Sequence, residues 1–366
     1  MYYNKQDGSQ VRNSNIELLR IISMLLIVAY HYACHGYNLV KFDDLFNQHV
    51  EGILLLGGKL GVSCFILISG YFMVRTKITL YKLVKLIAQV WFYSVGIAAL
   101  FLLVLRPAEP LGIKDFVMAV VPIGTGAYWF MTDYIVLMLI SPVINLAIEK
   151  MDKTHHRNMI ILFVVIWSVI PSFTSVEYAY NDLGWFLVLY FIAGYIRKYV
   201  SVTGNNSSKH FIMAVVSYLF IIFSNILMIG LSHKLHTDFL LLRSGHFSAL
   251  NSPFILLTSI ELLIGFMKIK PNECLWVNKL ASATLGVYLI HDNNMLRPYL
   301  WHTILKTESM YASDLFIAHA LCCIIGVYIV CSLVDLIRQG TVERAFLAFL
   351  NCYLERIEKH LKIIWQ

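Results

Sequence analysis

Of the 366 residues, 58% are hydrophobic and only 14% are charged, and the mean hydropathy is +0.68. Soluble globular domains carry a charged share of about 25%, so this composition excludes a soluble enzyme and indicates a polytopic membrane protein. The net charge of +7 comes from lysines and arginines gathered at the ends of apolar segments, a topology signal that makes no case for nucleic-acid binding.

Ten spans close to the roughly twenty residues that a bilayer core requires are predicted. They cover 16–33, 52–74, 78–105, 127–148, 159–176, 183–196, 211–231, 253–267, 280–291 and 315–337, with the sixth, eighth and ninth shorter than a comfortable crossing. Pro107, Pro110 and Gly112 end the third, and 113–123 is too short to cross, which places it at the outer interface. With the N-terminus inside, twenty Lys and Arg residues fall on the cytoplasmic side, from Lys5 and Arg12 to Arg356, Lys359 and Lys362. Seven, including Lys41 and Arg106, fall outside, with Arg20 and Lys59 inside spans. The expected architecture is therefore an all-α membrane bundle of about ten helices with both termini cytoplasmic. It divides into an N-terminal segment 1–14, a membrane domain 15–337 and a tail 338–366 that lies on the inner leaflet as an amphipathic helix. Neither short terminus is expected to hold a catalytic domain, and the first span lacks the cleavage site of a signal peptide. The seven cysteines show no disulfide or metal-ligand spacing.

Within the first span, Glu17, Arg20 and His31 share one helical face, with Arg20 and His31 three turns and roughly 16 Å apart. A charge facing lipid at mid-membrane costs about 2.5–3.5 kcal/mol, so this face is expected to look into protein or a water-filled cavity. The alternative is that Glu17 and Arg20 only anchor the helix and His31 is a satisfied core histidine.

The polar residues fall into two clusters on this topology. Glu17, Arg20, Arg75, Lys77, Lys82 and Lys85 lie at the cytoplasmic end and suit a phosphorylated ligand, although ordinary positive-inside charge also accounts for the lysines. His31, His35, Lys59, Tyr128, Trp129, Trp185, His291, Asp292 and Arg297 lie toward the outside. Two histidines brought level by separate helices suit a general base and its partner. Tyr128 and Trp129 fit either an aromatic belt or a sugar-stacking groove. Lys59 must snorkel, and Gly57, Gly58, Gly61 and Gly70 mark close helix packing.

These features resemble the acyltransferase-3 family of integral membrane acyltransferases, which acylate bacterial surface glycans. Arg20 and His31 match its Arg-x10-His feature in the first helix, with Glu17 as the preceding acid. Gly61, Val62, Phe65, Ser69, Gly70 and Tyr71 match the second-helix segment, Tyr128-Trp129-Phe130 to Pro142 the fourth, and TLGVYLIH the late segment ending at His291. The paired arginines that begin the third helix are here Lys82 and Lys85, which lack the planar fork for bidentate phosphate contact.

The resemblance implies a membrane O-acetyltransferase of the bacterial cytoplasmic membrane, with acetyl-CoA as donor and no metal. The acceptor would be a hydroxyl of a cell-surface or lipid-linked polysaccharide, such as a capsule or exopolysaccharide. It assigns His31, Arg20 and His291 to catalysis and Glu17, Arg75, Lys82 and Lys85 to the donor. Tyr128, Trp129, Lys59 and Asp292 are assigned to the acceptor. Transfer would be direct or through a separate extracytoplasmic protein. The alternative is a transporter or flippase for a lipid-linked glycan, against which the sequence shows no internal repeat and no helix interrupted at mid-membrane. An inert scaffold is a third reading.

Overall fold

The computed structural model describes residues 2–3, 10–11, 13–36, 44–105, 112–174, 176, 180–202 and 206–349. Pro107 and Pro110, Lys5, Arg12, Lys41 and Arg106, Cys352, and the amphipathic tail beyond 349 with Arg356, Lys359 and Lys362 lie outside the described residues. A two-residue antiparallel pair, β1 (Tyr2–Tyr3) with β2 (Gln10–Val11), precedes an all-α bundle.

In chain order the helices are α1 (Ser14–Gly36), α2 (Leu45–Met73), α3 (Leu80–Leu100, prolonged by a π turn at Phe101–Leu105), α4 (Ile113–Val120), α5 (Trp129–Lys150) and α6 (Lys153–Val164). A π turn at Val165–Val169 joins α6 to α7 (Ile170–Phe173), followed by α8 (Asp182–Tyr199), α9 (Ser207–Leu235), α10 (Asp238–Leu242) and α11 (Pro253–Lys268). Then follow α12 (Leu275–Ser282), α13 (Thr284–His291), α14 (Leu296–Pro298, prolonged by a π turn at Tyr299–Ile304), α15 (Thr307–Met310) and α16 (Phe316–Arg338, prolonged by a π turn at Gln339–Glu343).

Among the described residues, eight segments are long and apolar enough to cross a membrane: α1, α2, α3, α5, α6 to α7, α9, α10 to α11, and one that starts with α16. Two of the ten predicted spans are not among them. The sixth is α8, an 18-residue helix with Asp182 in its first turn and Arg197 and Lys198 in its last. Its middle is nonetheless fully packed, with Trp185, Phe186, Leu189 and Tyr190 at most 1% exposed. The ninth is two eight-residue helices, α12 and α13, that meet at Ala283, after which the chain turns at Asp292.

Local chemistry explains how the helices tolerate their prolines. Pro142 in α5 has no N–H for the Met138 carbonyl, and the Ser141 hydroxyl donates to that oxygen instead at 2.8 Å. Ahead of Pro171 the ladder widens to a π turn, and the Ile170 N–H reaches back to the Val165 carbonyl. Asp44 caps α2 by accepting from the Phe46 and Asn47 N–H groups. Ser14 pins the start of α1 to α12: its hydroxyl donates to Asn278 Oδ1 at 2.9 Å and accepts from the Cys274 N–H at 2.7 Å.

The axis of the bundle is the α1–α2 pair, and glycines permit its close approach. A Cβ on Gly57 would lie 2.9 Å from Leu26, and one on Gly58 would overlap the Tyr30 ring. At Gly61 the obstacle is backbone, with the Ser23 carbonyl oxygen 2.5 Å away. Gly70 meets Ala193 of α8 in the same way. Gly61→Val is expected to destabilise the protein by about 1–3 kcal/mol, because neither the Ser23 carbonyl nor a rigid helix pair can yield. Thermal unfolding in detergent checks it; a melting temperature equal to wild type would show that α1 and α2 separate freely. The outer faces carry exposed apolar side chains such as Leu103, Val143, Phe223 and Ile337, the surface that lipid covers.

Candidate active site

Arg20, Met24, Ile27 and His31 of α1 line a single cavity of about 220 Å³. Its other walls include Phe65 and Ser69 of α2, Leu86 of α3, Trp129 and Tyr134 of α5, and Thr284 and Tyr288 of α13. The shared face predicted for Arg20 and His31 thus looks into the protein. At 1.5 Å per residue their positions on α1 lie roughly 16 Å apart along the helix axis. Arg20 is held by Glu17 one turn earlier, Nη1 to Oε2 at 3.3 Å.

The deep end is a histidine cluster. The His31 Nδ1 and His291 Nε2 atoms are 2.8 Å apart, and His291 Nδ1 lies 2.5 Å from the Val287 carbonyl oxygen. Since a carbonyl only accepts, His291 must carry its proton on Nδ1, so its Nε2 accepts and His31 Nδ1–H donates. The network thereby assigns the His31 tautomer and leaves its Nε2 lone pair as the basic site. Asp292, buried, lies 3.8 Å from His31 Nδ1, 3.5 Å from His35 Nε2 and 3.3 Å from Arg297 Nη1.

His31, His35 and Asp292 present ligand atoms within 4.8 Å of one another, a spacing that a metal ion accepts. Arg297 beside Asp292 opposes a further cation, and His31 Nδ1 already faces His291.

The remaining predicted residues divide. Trp129 lines the cavity, and the Lys59 ammonium sits 5.0 Å from its ring centroid and 5.9 Å from that of Tyr30. Tyr128 stands behind the wall at 2% exposed; its hydroxyl donates to the Leu289 carbonyl and accepts from Asn293, so it fixes the end of α13. The expected cationic mouth is not assembled at the cavity. Arg75 is exposed, Lys82 is exposed and donates to the Lys77 carbonyl at 3.1 Å, and Lys85 pairs with Glu343 at 2.5 Å.

That last pair belongs to a network that sequence reasoning missed. Asp335 of α16 is completely buried and meets Arg338 Nε at 2.8 Å, and it accepts from Tyr93 of α3 at 2.7 Å and from Gln339 at 2.7 Å. Arg338 also meets Glu343 at 2.6 Å. Gly286, the glycine of the TLGVYLIH segment, passes so close that a Cβ there would overlap the Asp335 carboxyl group. The available signal was an acid three residues before a base at the end of an apolar helix.

The family model described as an acyltransferase domain matches residues 13–336, nearly the whole chain. No curated protein and no solved structure matches. The cavity lined by the Arg-x10-His pair of α1 and by Thr284 and Tyr288 of α13 lies wholly within that match, and the chain belongs to the acyltransferase-3 family of membrane acyltransferases.

Proposed function

We propose that the protein transfers an acetyl group from acetyl-CoA to a hydroxyl of a cell-surface or lipid-linked glycan. The observation that carries this reading is the single cavity lined by both Arg20 and His31. The charge distribution assigns the Arg20 end to the cytoplasm, where acetyl-CoA is made, and the His31 end to the outer part of the membrane. Arg20 would hold the donor at the inner mouth, with its thioester arm extended along apolar walls toward His31.

In the transfer step, His31 Nε2 removes the proton from the acceptor hydroxyl as that oxygen attacks the thioester carbonyl carbon. The new C–O bond forms, the C–S bond breaks, and the departing thiolate takes the proton from the imidazolium to leave as CoA thiol. His291 acts by holding the tautomer and Asp292 by stabilising the intermediate charge, as partner groups do in other acyl-transfer sites. The same Nε2 would serve as nucleophile if acetyl passed transiently through His31.

Membranes supplied with acetyl-labelled acetyl-CoA and the glycan test the reading. Alkali-labile label on glycan hydroxyls is expected. Unlabelled glycan, together with movement of a lipid-linked glycan across sealed vesicles, would establish a transporter, a class in which the helix break at Asp292 would also be at home.

A further inference from the structure

A second cavity, of about 330 Å³, shares no lining residue with the first. Its walls include Tyr30 of α1, Lys59 of α2, Asn225 of α9, and Ser244, Ser248 and Ala249 from the α10–α11 connection. That connection folds back into the bundle. Asn225 lies ten residues, about 15 Å, before the end of α9, yet its Nδ2 donates to the Ser244 carbonyl at 3.1 Å. Successive tight turns satisfy the backbone there: the N–H groups of Ser244, His246, Ser248 and Ser252 donate to the carbonyls of Leu241, Arg243, Gly245 and Ala249. Irregular polar backbone is tolerated at such depth only where protein covers it or it lines a water-filled cavity.

Asn225 contributes its Nδ2 side to the wall, while its Oδ1 is packed against Gly52 of α2 and is closed to the cavity. One group in this cavity lacks the partner its chemistry demands. Lys59 has no carboxylate within ion-pair distance among the described residues, and its charge meets only two ring faces. Lys59 also separates the cavities, since Trp129 belongs to the first and Tyr30 to the second. The Tyr30 and His31 ring centroids are 5.6 Å apart.

We propose that the second cavity is a subsite for a hydroxyl-rich ligand bearing one anionic group, a carboxylate or a phosphate. Lys59 meets the anion, and Ser244 and Ser248 of the lining offer hydroxyl partners for the ligand's own hydroxyls. Naming this ligand as the acceptor rests on the acetyl-transfer reading; the site itself does not. As the acceptor, an oligosaccharide would anchor one sugar here and present the hydroxyl of a neighbouring sugar to His31 past Tyr30, whose ring centroid lies 5.6 Å from that of His31.

The test is calorimetry on the full chain in lipid nanodiscs, without donor, using a glucuronic acid oligosaccharide, the matching glucose oligosaccharide, and glucose 1-phosphate. An anionic ligand is expected to bind and the neutral one not, and the anion that binds identifies the group. Lys59→Gln should weaken binding by about 10–100-fold, the range for losing a hydrogen bond to a charged group. Lys59→Arg should recover most of it. Ala249→Trp, placed on an exposed wall residue, should block it, and His31→Ala should leave it intact. Equal binding of neutral and anionic ligands, binding of none, or wild-type binding by Lys59→Gln would overturn the proposal. Binding with this pattern in a protein that transfers no acetyl would overturn the acetyl-transfer reading alone.

Discussion

His31→Ala is expected to lower the acyl-transfer rate by about 10²–10⁴-fold, the usual worth of a positioned general base. The reason is specific to Nε2. His291 fixes its own Nδ1 proton on the Val287 carbonyl, which forces His31 to donate from Nδ1 and frees the other nitrogen toward the reaction. Alanine removes that lone pair and leaves Arg20 and the rest of the cavity wall in place, so kcat should fall while the KM for the acyl donor changes little. Rates with labelled donor in reconstituted vesicles check it, with size-exclusion behaviour as the folding control. His291→Gln offers a finer reading, because a glutamine carbonyl can still accept from His31 Nδ1. It should retain more activity than His291→Ala. Full transfer by a correctly inserted His31→Ala protein would remove His31 from the mechanism.

Asp335→Ala should destabilise the fold by about 3 kcal/mol, the low end for removing one partner of a buried ion pair. Asp335 is the hub that ties α16 to α3 through Tyr93 and to its own C-terminal turn through Arg338 and Gln339. Removing it strands the Arg338 guanidinium, which is only 7% exposed, with Glu343 as its remaining partner. That surviving pair is why the cost stays at the low end. Thermal unfolding in detergent measures it, and Asp335→Leu combined with Arg338→Leu should recover much of the loss, since a neutral apolar pair leaves no uncompensated charge. A single variant as stable as wild type would show that the network is ornamental. Activity should fall with stability in the single variant, because Gly286 packs against Asp335 only five residues before His291.

Sequence alone determined which faces of which helices matter. Apolar runs of bilayer length define most spans. The spacing of Arg20 and His31 puts both on one side of α1 whatever surrounds it, because 3.6 residues per turn is a local property of the backbone. The glycines at 57, 58, 61 and 70 announced close packing for a similarly local reason, the missing Cβ. Charge asymmetry likewise needs no tertiary information to assign the two ends of the bundle.

What faces those faces was decided only in the tertiary structure. Nothing in the spacing of Lys85, Asp335, Arg338 and Glu343 says that the lysine expected to await a phosphate is occupied by a glutamate, because that pairing joins α3 to the chain beyond α16. Tyr128 and Trp129 are neighbours in sequence, yet one braces α13 and the other lines the cavity, since adjacent residues on a helix end point about 100° apart. The return of the Ser244–Ser248 segment to the depth of Asn225 was equally illegible, because a polar loop looks the same in sequence whether it lies outside the membrane or folds inward. Local periodicity fixes each helix's own geometry. The distances that make a site are set by contacts between residues far apart in the chain, such as His31 and His291, 260 positions apart.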